Sequence, residues 1–153
     1  MNDSLRPLSG IKVIEMTHMV MGPAVGVILG DLGADVIKIE PLTGDKTRKL
    51  KTSGSGYFLT YNRNKRSLAL DVKTPEGKDI VLKLLSAADV FIENFRPGAM
   101  DNLGFSYSEL KKTNPGLIYC SAKGFLNGPY QHRTALDEVA QMMGGLAYMT
   151  GPP

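Results

Sequence analysis

The sequence predicts an α/β fold: a Rossmann-like, open and mainly parallel β-sheet with flanking helices. Short apolar runs that end in polar turns alternate along the chain with segments in which apolar residues recur at helical spacing. Strands that alternate with helices pair in parallel through right-handed crossovers. The chain has 153 residues, of which 42% are hydrophobic and 22% charged, and this is enough for one domain with its own core.

The first predicted unit is a strand, a polar turn and a helix. The mostly apolar residues 11–15 are typical of a buried strand, and the helix is predicted over residues 23–32. Pro23 suits a first helical turn because its missing N–H would be unpaired there, and Gly33 suits the left-handed position that ends a helix. A second strand is predicted at Asp35–Glu40, before a polar loop.

The rest of the chain continues the alternation. Thr74, Pro75 and Glu76 indicate a helix start, since they supply a cap hydroxyl, a first-turn proline and an acid near the positive end of the dipole. The predicted helices cover Tyr57–Asn62, 74–88, Tyr107–Thr113 and 136–148, and the predicted strands cover 67–71, 90–95 and 117–122.

The segments that follow the strands are the candidate binding residues, because parallel sheets bind ligands beyond the carboxyl ends of their strands. These segments are residues 16–22, 41–48, 72–74, 94–98 and 123–128. The turn after the first strand also leads into a helix N-terminus, whose free N–H groups attract an anion.

A run of cations lies in and after the polar loop: Lys46, Arg48, Lys49, Lys51, Arg63, Lys65 and Arg66. Such a run could bind a polyphosphate, and a solvated surface loop is the alternative. The glycines at 54 and 56 lack the Walker pattern, and no Gly-x-Gly-x-x-Gly follows a strand. A dinucleotide site of that type is therefore not indicated.

The end of the predicted strand 90–95 and the residue after it combine an amide, an aromatic ring and a guanidinium: Asn94, Phe95 and Arg96. An aromatic ring can stack on a base, and arginine can bind phosphate. The alternative is an ordinary turn with Phe95 in the core.

Composition argues against several other classes. The net charge of +3 is too small to indicate nucleic-acid binding, and no known nucleic-acid module accompanies the basic loop. A single cysteine, Cys120, excludes an internal disulfide and suits a reducing, cytoplasmic compartment. Residues 11–32 contain Lys12, Glu15 and Asp31, so they do not form a membrane span, and the polar N-terminus is unlike a signal peptide.

Five segments occur in this order: PLSGIKVIEMTHMVMGPAVGVILGDLGADVIKIE, GDKTR, NRNKRSLALDVKTPEGK, ADVFIENFRPGAMDNLGF and NPGLIYCSAKGF. Together they resemble the N-terminal part of the family III CoA-transferases, the CaiB/BaiF group that includes formyl-CoA and succinyl-CoA transferases. The resemblance implies a Rossmann-like large domain plus a small domain, and two interlocked subunits. It also implies coenzyme A or acyl-CoA as the bound molecule, a small carboxylic acid as the second substrate, and no metal.

The resemblance places a CoA site at the predicted sheet edge. The turn His18, Met19, Val20 and Met21 corresponds to the family's loop along the CoA thiol arm and adenine. The other CoA-contacting residues that it implies are Leu70, Lys73, Asn94, Phe95 and Arg96. Pro41 stands where relatives often have arginine, and Asn102 stands where some members have it. We therefore expect the affinity for CoA to rest more on the cations between residues 46 and 66.

The family's reaction needs an aspartate nucleophile, which becomes an aspartyl-CoA intermediate. Asp137 is the candidate within the chain, but in relatives the catalytic aspartate follows later, in a glycine-containing loop. We therefore expect the nucleophile beyond Pro153. Residues 1–153 are then the N-terminal, CoA-binding part of a large domain and are inactive alone.

Leu136 bears on the type of reaction. The related α-methylacyl-CoA racemases have a histidine at this position as one of two acid–base groups, and leucine cannot remove a proton. A racemase or other acyl-CoA isomerase is therefore a less favoured alternative to a CoA-transferase. A non-catalytic CoA-binding or assembly module is the third alternative.

Overall fold

The computed structural model describes residues 6–151, apart from the side chain of Ser53. Its strands are β1 (Lys12–Met16), β2 (Asp35–Glu40), β3 (Lys65–Ala69), β4 (Val90–Glu93) and β5 (Ile118–Ser121). They form one five-stranded sheet in the order β3-β2-β1-β4-β5, and each strand is parallel to its neighbours. The predicted α/β fold with an open parallel sheet is confirmed.

Helices connect successive strands. They are α1 (Met21–Asp31), α2 (Tyr57–Asn62), α3 (Pro75–Ser86), α4 (Ala99–Leu103), α5 (Tyr107–Thr113), α6 (Asp137–Met143) and α7 (Leu146–Met149), with short 3₁₀ turns at Lys46–Lys49 and Thr52–Gly54. The predicted start of α3 is confirmed, since the Thr74 hydroxyl accepts the Gly77 N–H at 3.1 Å. None of the helices within residues 6–151 has the length and apolar character needed to cross a membrane.

Several boundaries differ from the prediction by one or two residues; β4, for example, ends at Glu93 and not at residue 95. Three differences affect the architecture more. β3 begins two residues earlier, at Lys65, which is in register with Val36 of β2. α4 was not predicted, because it is a single turn between two left-handed glycines, Gly98 (φ 80°) and Gly104 (φ 77°). The last predicted helix is divided into α6 and α7, where Gly145 has a φ of 78° that a continuous helix does not allow.

The sheet separates two apolar layers. On the side of α1, Val13 and Ile92 are fully buried and belong to a small cluster against which helix side chains pack. On the opposite side, Ile14 and Phe91 belong to the larger cluster, which includes Val81 of α3. Neighbouring strand residues thus face opposite layers, as the pleat of a strand requires.

Charged side chains are also buried in the sheet, beneath α1. The side chains of Glu15, Lys38 and Lys65 are 0%, 1% and 2% exposed. α1 crosses this group at Gly26, where an added Cβ would lie 1.7 Å from Glu15 Oε2 and 2.9 Å from Lys65 Nζ. The helix can pack this closely only because position 26 has no side chain.

We expect Gly26→Ala to destabilise the protein by about 2–4 kcal/mol, the range for overpacking that also disturbs a buried ion pair. The Glu15 carboxylate cannot move aside freely, because Lys38 and Lys65 hold it. Gly56→Ala is the matched control, since nothing lies within 4 Å of a Cβ added there. Urea denaturation measures both variants, and equal free energies of unfolding would contradict this packing.

Candidate functional site

The candidate site lies at the carboxyl edge of the sheet, between β1 and β4. In the sheet, β2 and β3 lie on one side of β1, and β4 and β5 lie on its other side. Open α/β sheets bind ligands in the crevice where the connections diverge in this way. The predicted segments 16–22 and 94–98 follow the two strands that border this crevice.

Two hydrogen bonds join the two sides of the crevice. The His18 N–H donates to Asn94 Oδ1 at 3.0 Å, and Asn94 Nδ2 donates to the His18 carbonyl at 2.8 Å. A Cβ added at Gly22 would lie 2.9 Å from Asn94 Cγ, so the start of α1 packs directly against this bridge. The Asn94 amide therefore fixes the turn after β1 relative to the end of β4.

Phe95 forms an aromatic wall beside the bridge. Its ring centroid is 5.5 Å from that of His18, and it is half-buried against the larger apolar cluster. The Phe95 N–H donates to Glu93 Oε2 at 2.9 Å, and Lys123 Nζ donates to the same oxygen at 2.7 Å and to the Phe95 carbonyl. Both peptide groups of Phe95 are thus held in place. The ring contacts the core and the predicted site together.

The turn after β1 is exposed. Met19 has a φ of 62°, in the left-handed region, and the side chains of Met19 and Met21 are 45% and 48% exposed. The first helical bond of α1 runs from the Ala24 N–H to the Val20 carbonyl. The Met21 and Gly22 N–H groups consequently have no acceptor within the helix.

The remaining predicted residues differ in their surroundings. Leu70 is 8% exposed and packs in the larger apolar cluster, and its N–H donates to the Glu40 carbonyl at 3.0 Å. Lys73 and Arg96 are exposed. β3 is an edge strand, two positions from β1. Leu70 and Lys73 therefore follow a different strand from those that the bridge joins.

Most cations between residues 46 and 66 are used within the protein. Carboxylates pair with four of them: Arg48, Arg63, Lys65 and Arg66. The Lys65 side chain is 2% exposed, so the expectation that it contributes to CoA affinity by direct contact is wrong. Lys46, Lys49 and Lys51 are exposed and stay candidates for binding phosphate.

Lys65 belongs to a buried ionic cluster, which consists of Glu15, Lys38, Asp45 and Lys65. Lys65 Nζ lies 2.7 Å from Glu15 Oε2, and Lys38 Nζ lies 3.3 Å from Glu15 Oε1 and 3.1 Å from Asp45 Oδ2. Two cations balance two anions, which is how buried charges are tolerated. Burial lowers the pKa of the Lys65 ammonium, although Glu15 acts in the opposite direction.

A second ionic group joins β2 to the loop that follows it. Arg48 donates to both oxygens of Glu40, at 2.8 and 2.7 Å, and its guanidinium lies 3.8 Å from the Phe58 ring centroid. The Asp45 N–H and the Ser67 hydroxyl also donate to Glu40, each at 2.8 Å. Burial alone would raise the pKa of the Glu40 carboxyl, but the Arg48 guanidinium and the other donors outweigh it and lower this pKa to about 2.

Asp137, the less favoured candidate for the nucleophile, is the first residue of α6. Its Oδ2 accepts a hydrogen bond from Gln141 Nε2 at 2.6 Å, one turn along the helix. Leu136 precedes it and is 63% exposed. Within residues 6–151, no three His, Cys, Asp or Glu side chains are grouped so that they could hold a metal ion.

Glu15, Lys38 and Glu93 were not predicted as site residues, and Lys123 was predicted only as part of the segment 123–128. The available signal was a charged residue inside a predicted strand, because such a residue, when buried, needs a partner. Glu15, Lys38 and Glu93 fit this description. Lys123 gave no signal beyond its place after the last strand.

Comparison with known proteins identifies the family. The model of CoA-transferase family III matches residues 8–153. Succinyl-CoA:glutarate CoA-transferase of Mus musculus is 43% identical over 156 residues, which covers 98% of this chain and 36% of that protein. Formyl-CoA:oxalate CoA-transferase of Streptomyces avermitilis is 45% identical over 150 residues, which covers 95% of this chain and 37% of that protein. The chain belongs to CoA-transferase family III and spans little more than a third of the length of these relatives.

Solved structures share the fold. A CaiB/BaiF family protein from Brucella suis superposes with a TM-score of 0.84 at 46% identity, covering 92% of this chain and 39% of that one. Rv3272 of Mycobacterium tuberculosis superposes with a TM-score of 0.86 at 40% identity, covering 97% and 41%. The resemblance to the N-terminal part of the CaiB/BaiF group is confirmed.

We expect the protein to lose stability as the pH falls from about 4.5 toward 2. The folded pKa of Glu40 is about 2 and its ordinary value is 4.5, so the unfolded chain binds more protons throughout this window. Urea denaturation between about pH 6 and pH 3 measures the loss. Glu40→Gln removes this titration, so it should be less stable at neutral pH and lose less stability on acidification. An identical loss in both proteins would contradict the assignment.

Proposed function

We propose that residues 1–153 form the N-terminal, CoA-binding part of the large domain of a family III CoA-transferase. The complete enzyme moves CoA between an acyl-CoA and a free carboxylic acid. The observation that best supports this proposal is the His18–Asn94 bridge. It holds an exposed turn and an aromatic ring at the place where open α/β sheets bind ligands. The relatives support this choice, because they are named succinyl-CoA:glutarate CoA-transferase and formyl-CoA:oxalate CoA-transferase.

The binding roles divide between the two sides of the crevice. On the β1 side, the predicted residues His18, Met19, Val20 and Met21 lie along CoA, and the free N–H groups of the turn suit its anionic groups. On the β4 side, the Phe95 ring packs against it, while Asn94 shapes the site because its amide is already bonded to His18.

The other predicted residues contact CoA through charged side chains or through backbone atoms. Lys73 and Arg96 are exposed cations and bind its phosphates. Leu70 takes part through backbone atoms, since its side chain is buried in the core.

The proposed chemistry uses an aspartate outside residues 1–153. Its carboxylate attacks the acyl-CoA carbonyl, CoA leaves as a thiolate, and a mixed anhydride forms. The thiolate then attacks the aspartyl carbonyl of the anhydride, the free acid leaves, and an aspartyl-CoA thioester remains. The acceptor acid reverses these steps. We do not assign this role to Asp137, whose carboxylate is bonded to Gln141.

We also propose that the complete enzyme is an interlocked, cytoplasmic homodimer. The segment after β5 exposes large apolar side chains that another polypeptide surface would cover. They include Leu126 (90%), Met142 (71%), Tyr148 (90%) and Met149 (75%). A racemase is not favoured, because Leu136 cannot act as a base.

Calorimetric titration of the chain with CoA tests the binding part of the proposal. We expect saturable binding, with no transfer of CoA from succinyl-CoA to glutarate when products are detected by mass spectrometry. Absence of CoA binding would contradict the proposed function, and transfer by residues 1–153 alone would contradict the placement of the nucleophile. Binding without transfer in the complete protein would favour the non-catalytic module.

A pair of asparagine variants tests the bridge. Asn94→Ala removes both bonds to His18, and we expect about tenfold weaker CoA binding and about 1–2 kcal/mol lower stability. Asn114→Ala is the control, because the Asn114 side chain likewise makes two hydrogen bonds to backbone groups: it donates to the Leu85 and Ala88 carbonyls. Asn114 precedes β5 and so lies at the amino end of the strands, away from the candidate site. The control should lower stability similarly and leave CoA binding unchanged. Equal effects of both variants on CoA binding would contradict a role for Asn94 in the site.

A further inference from the structure

Lys38 lies where two loops of the candidate site meet. It is in β2, and its side chain is 1% exposed. Its Nζ donates to the Thr17 carbonyl at 2.8 Å and lies 3.1 Å from Asp45 Oδ2. Thr17 directly follows β1, and Asp45 is in the loop after β2. One ammonium group therefore holds both loops.

The contacts of Lys38 go beyond neutralising Glu15. Lys65 Nζ lies 2.7 Å from Glu15, whereas Lys38 Nζ lies 3.3 Å from it, so Lys65 is the closer cation. The shortest contact of Lys38 is the Thr17 carbonyl. The Thr17 hydroxyl in turn donates to Glu15 Oε1 at 2.5 Å. Both the side chain and the carbonyl of Thr17 are thus bound to the ionic cluster.

Thr17 connects the ionic cluster to the turn over residues 18–21. It is 5% exposed, and a Cβ added at Gly22 would lie 2.6 Å from Thr17 Cγ2, so α1 confines it from above. The next residue, His18, is bonded through its N–H and carbonyl to Asn94. The Thr17–His18 peptide is therefore held from β2 by Lys38 and from the end of β4 by Asn94.

We infer that Lys38 is a positioning residue for the turn over residues 18–21. Through Thr17 and Asp45 it fixes the turn after β1 against the loop after β2, and so orders the site before the ligand arrives. It does not touch the ligand, because its side chain is buried. A turn that is already ordered loses less conformational freedom on binding, which raises affinity. That the ligand is CoA rests on the proposed function.

The test variant is the charge-balanced Lys38→Met/Asp45→Asn. It removes one cation and one anion and leaves the Glu15–Lys65 pair intact, so that no buried charge is left unpaired. Asparagine at position 45 keeps an oxygen for the Thr47 N–H and hydroxyl, which donate to Asp45 Oδ1.

The matched control is Lys83→Met/Asp79→Asn. These two substitutions remove an exposed ion pair on α3, where the side chains are 75% and 60% exposed. Two quantities are measured for both variants: hydrogen exchange of the amides at residues 17–21 without ligand, and the Kd for CoA by calorimetry. The free energy of unfolding is measured alongside.

We expect the His18 amide, whose N–H donates to Asn94, to exchange about tenfold faster in the Lys38 variant than in the control. We also expect the variant to bind CoA about tenfold more weakly, beyond any change in global stability. Unchanged exchange at His18 would overturn the inference. Faster exchange with unchanged CoA affinity would overturn the claim that this order serves binding. If the unsubstituted chain binds no CoA, the proposed function fails, and the exchange rates alone decide the role of Lys38.

Asp45→Asn alone provides a second test should the double variant not fold. This substitution weakens the hold of Lys38 on the loop after β2, and Asp45 makes no hydrogen bond to residues 18–21. Faster exchange in the turn would support coupling through Lys38. Exchange that increases only near Asp45 would overturn it.

Discussion

The pairing of Glu15 with Lys65 and Lys38 is the constraint on which the rest of the structure depends. A carboxylate that is 0% exposed in the central strand is tolerable only when cations reach it, so β2 and β3 must each deliver a lysine beneath α1. Lys65 also donates to the Pro23 carbonyl at 2.9 Å, in the first turn of α1. The cluster therefore fixes the order of three strands and the distance between α1 and the sheet at Gly26. It also fixes the position of the helix N-terminus that borders the crevice.

The two sides of the crevice are held by the same device. A glutamate in β1 or β4 meets a lysine from a neighbouring segment, and that lysine also binds a backbone carbonyl of the adjoining loop: Lys38 binds Thr17, and Lys123 binds Phe95. Such bonds are directional, so they restrict the conformation of the loop that they reach. The lysine on the β1 side is 1% exposed and the one on the β4 side is 25% exposed. A buried and a partly buried lysine thus hold the turn after β1 and the peptide of Phe95.

The sequence pattern predicted the parallel sheet because hydrophobic periodicity is a local signal. It missed the start of β3, since Lys65 and Arg66 resemble loop residues until their partners Glu15 and Asp35 are known. The meeting of His18 with Asn94 depends on strand order, which local pattern does not contain. Leu70 was assigned to the site from resemblance, yet its side chain completes the core. The positions of the loops could be predicted, but which lysine binds which loop depends on the strand order and could not be predicted.

The use of cations inside the fold limits how the site attracts an anionic ligand. A cation with a carboxylate within hydrogen-bond distance is already neutralised, and it would have to give up that partner to bind a phosphate. Arg48, Lys65 and Lys38 are committed in this way to Glu40, Glu15 and Asp45. Under the proposed function, the attraction comes from exposed cations, among them Lys73 and Arg96. In that proposal, buried lysines set the geometry of the crevice, and exposed cations supply its charge. Ions in solution screen exposed charges much more than buried ones, so salt weakens this attraction more than it weakens the ionic cluster.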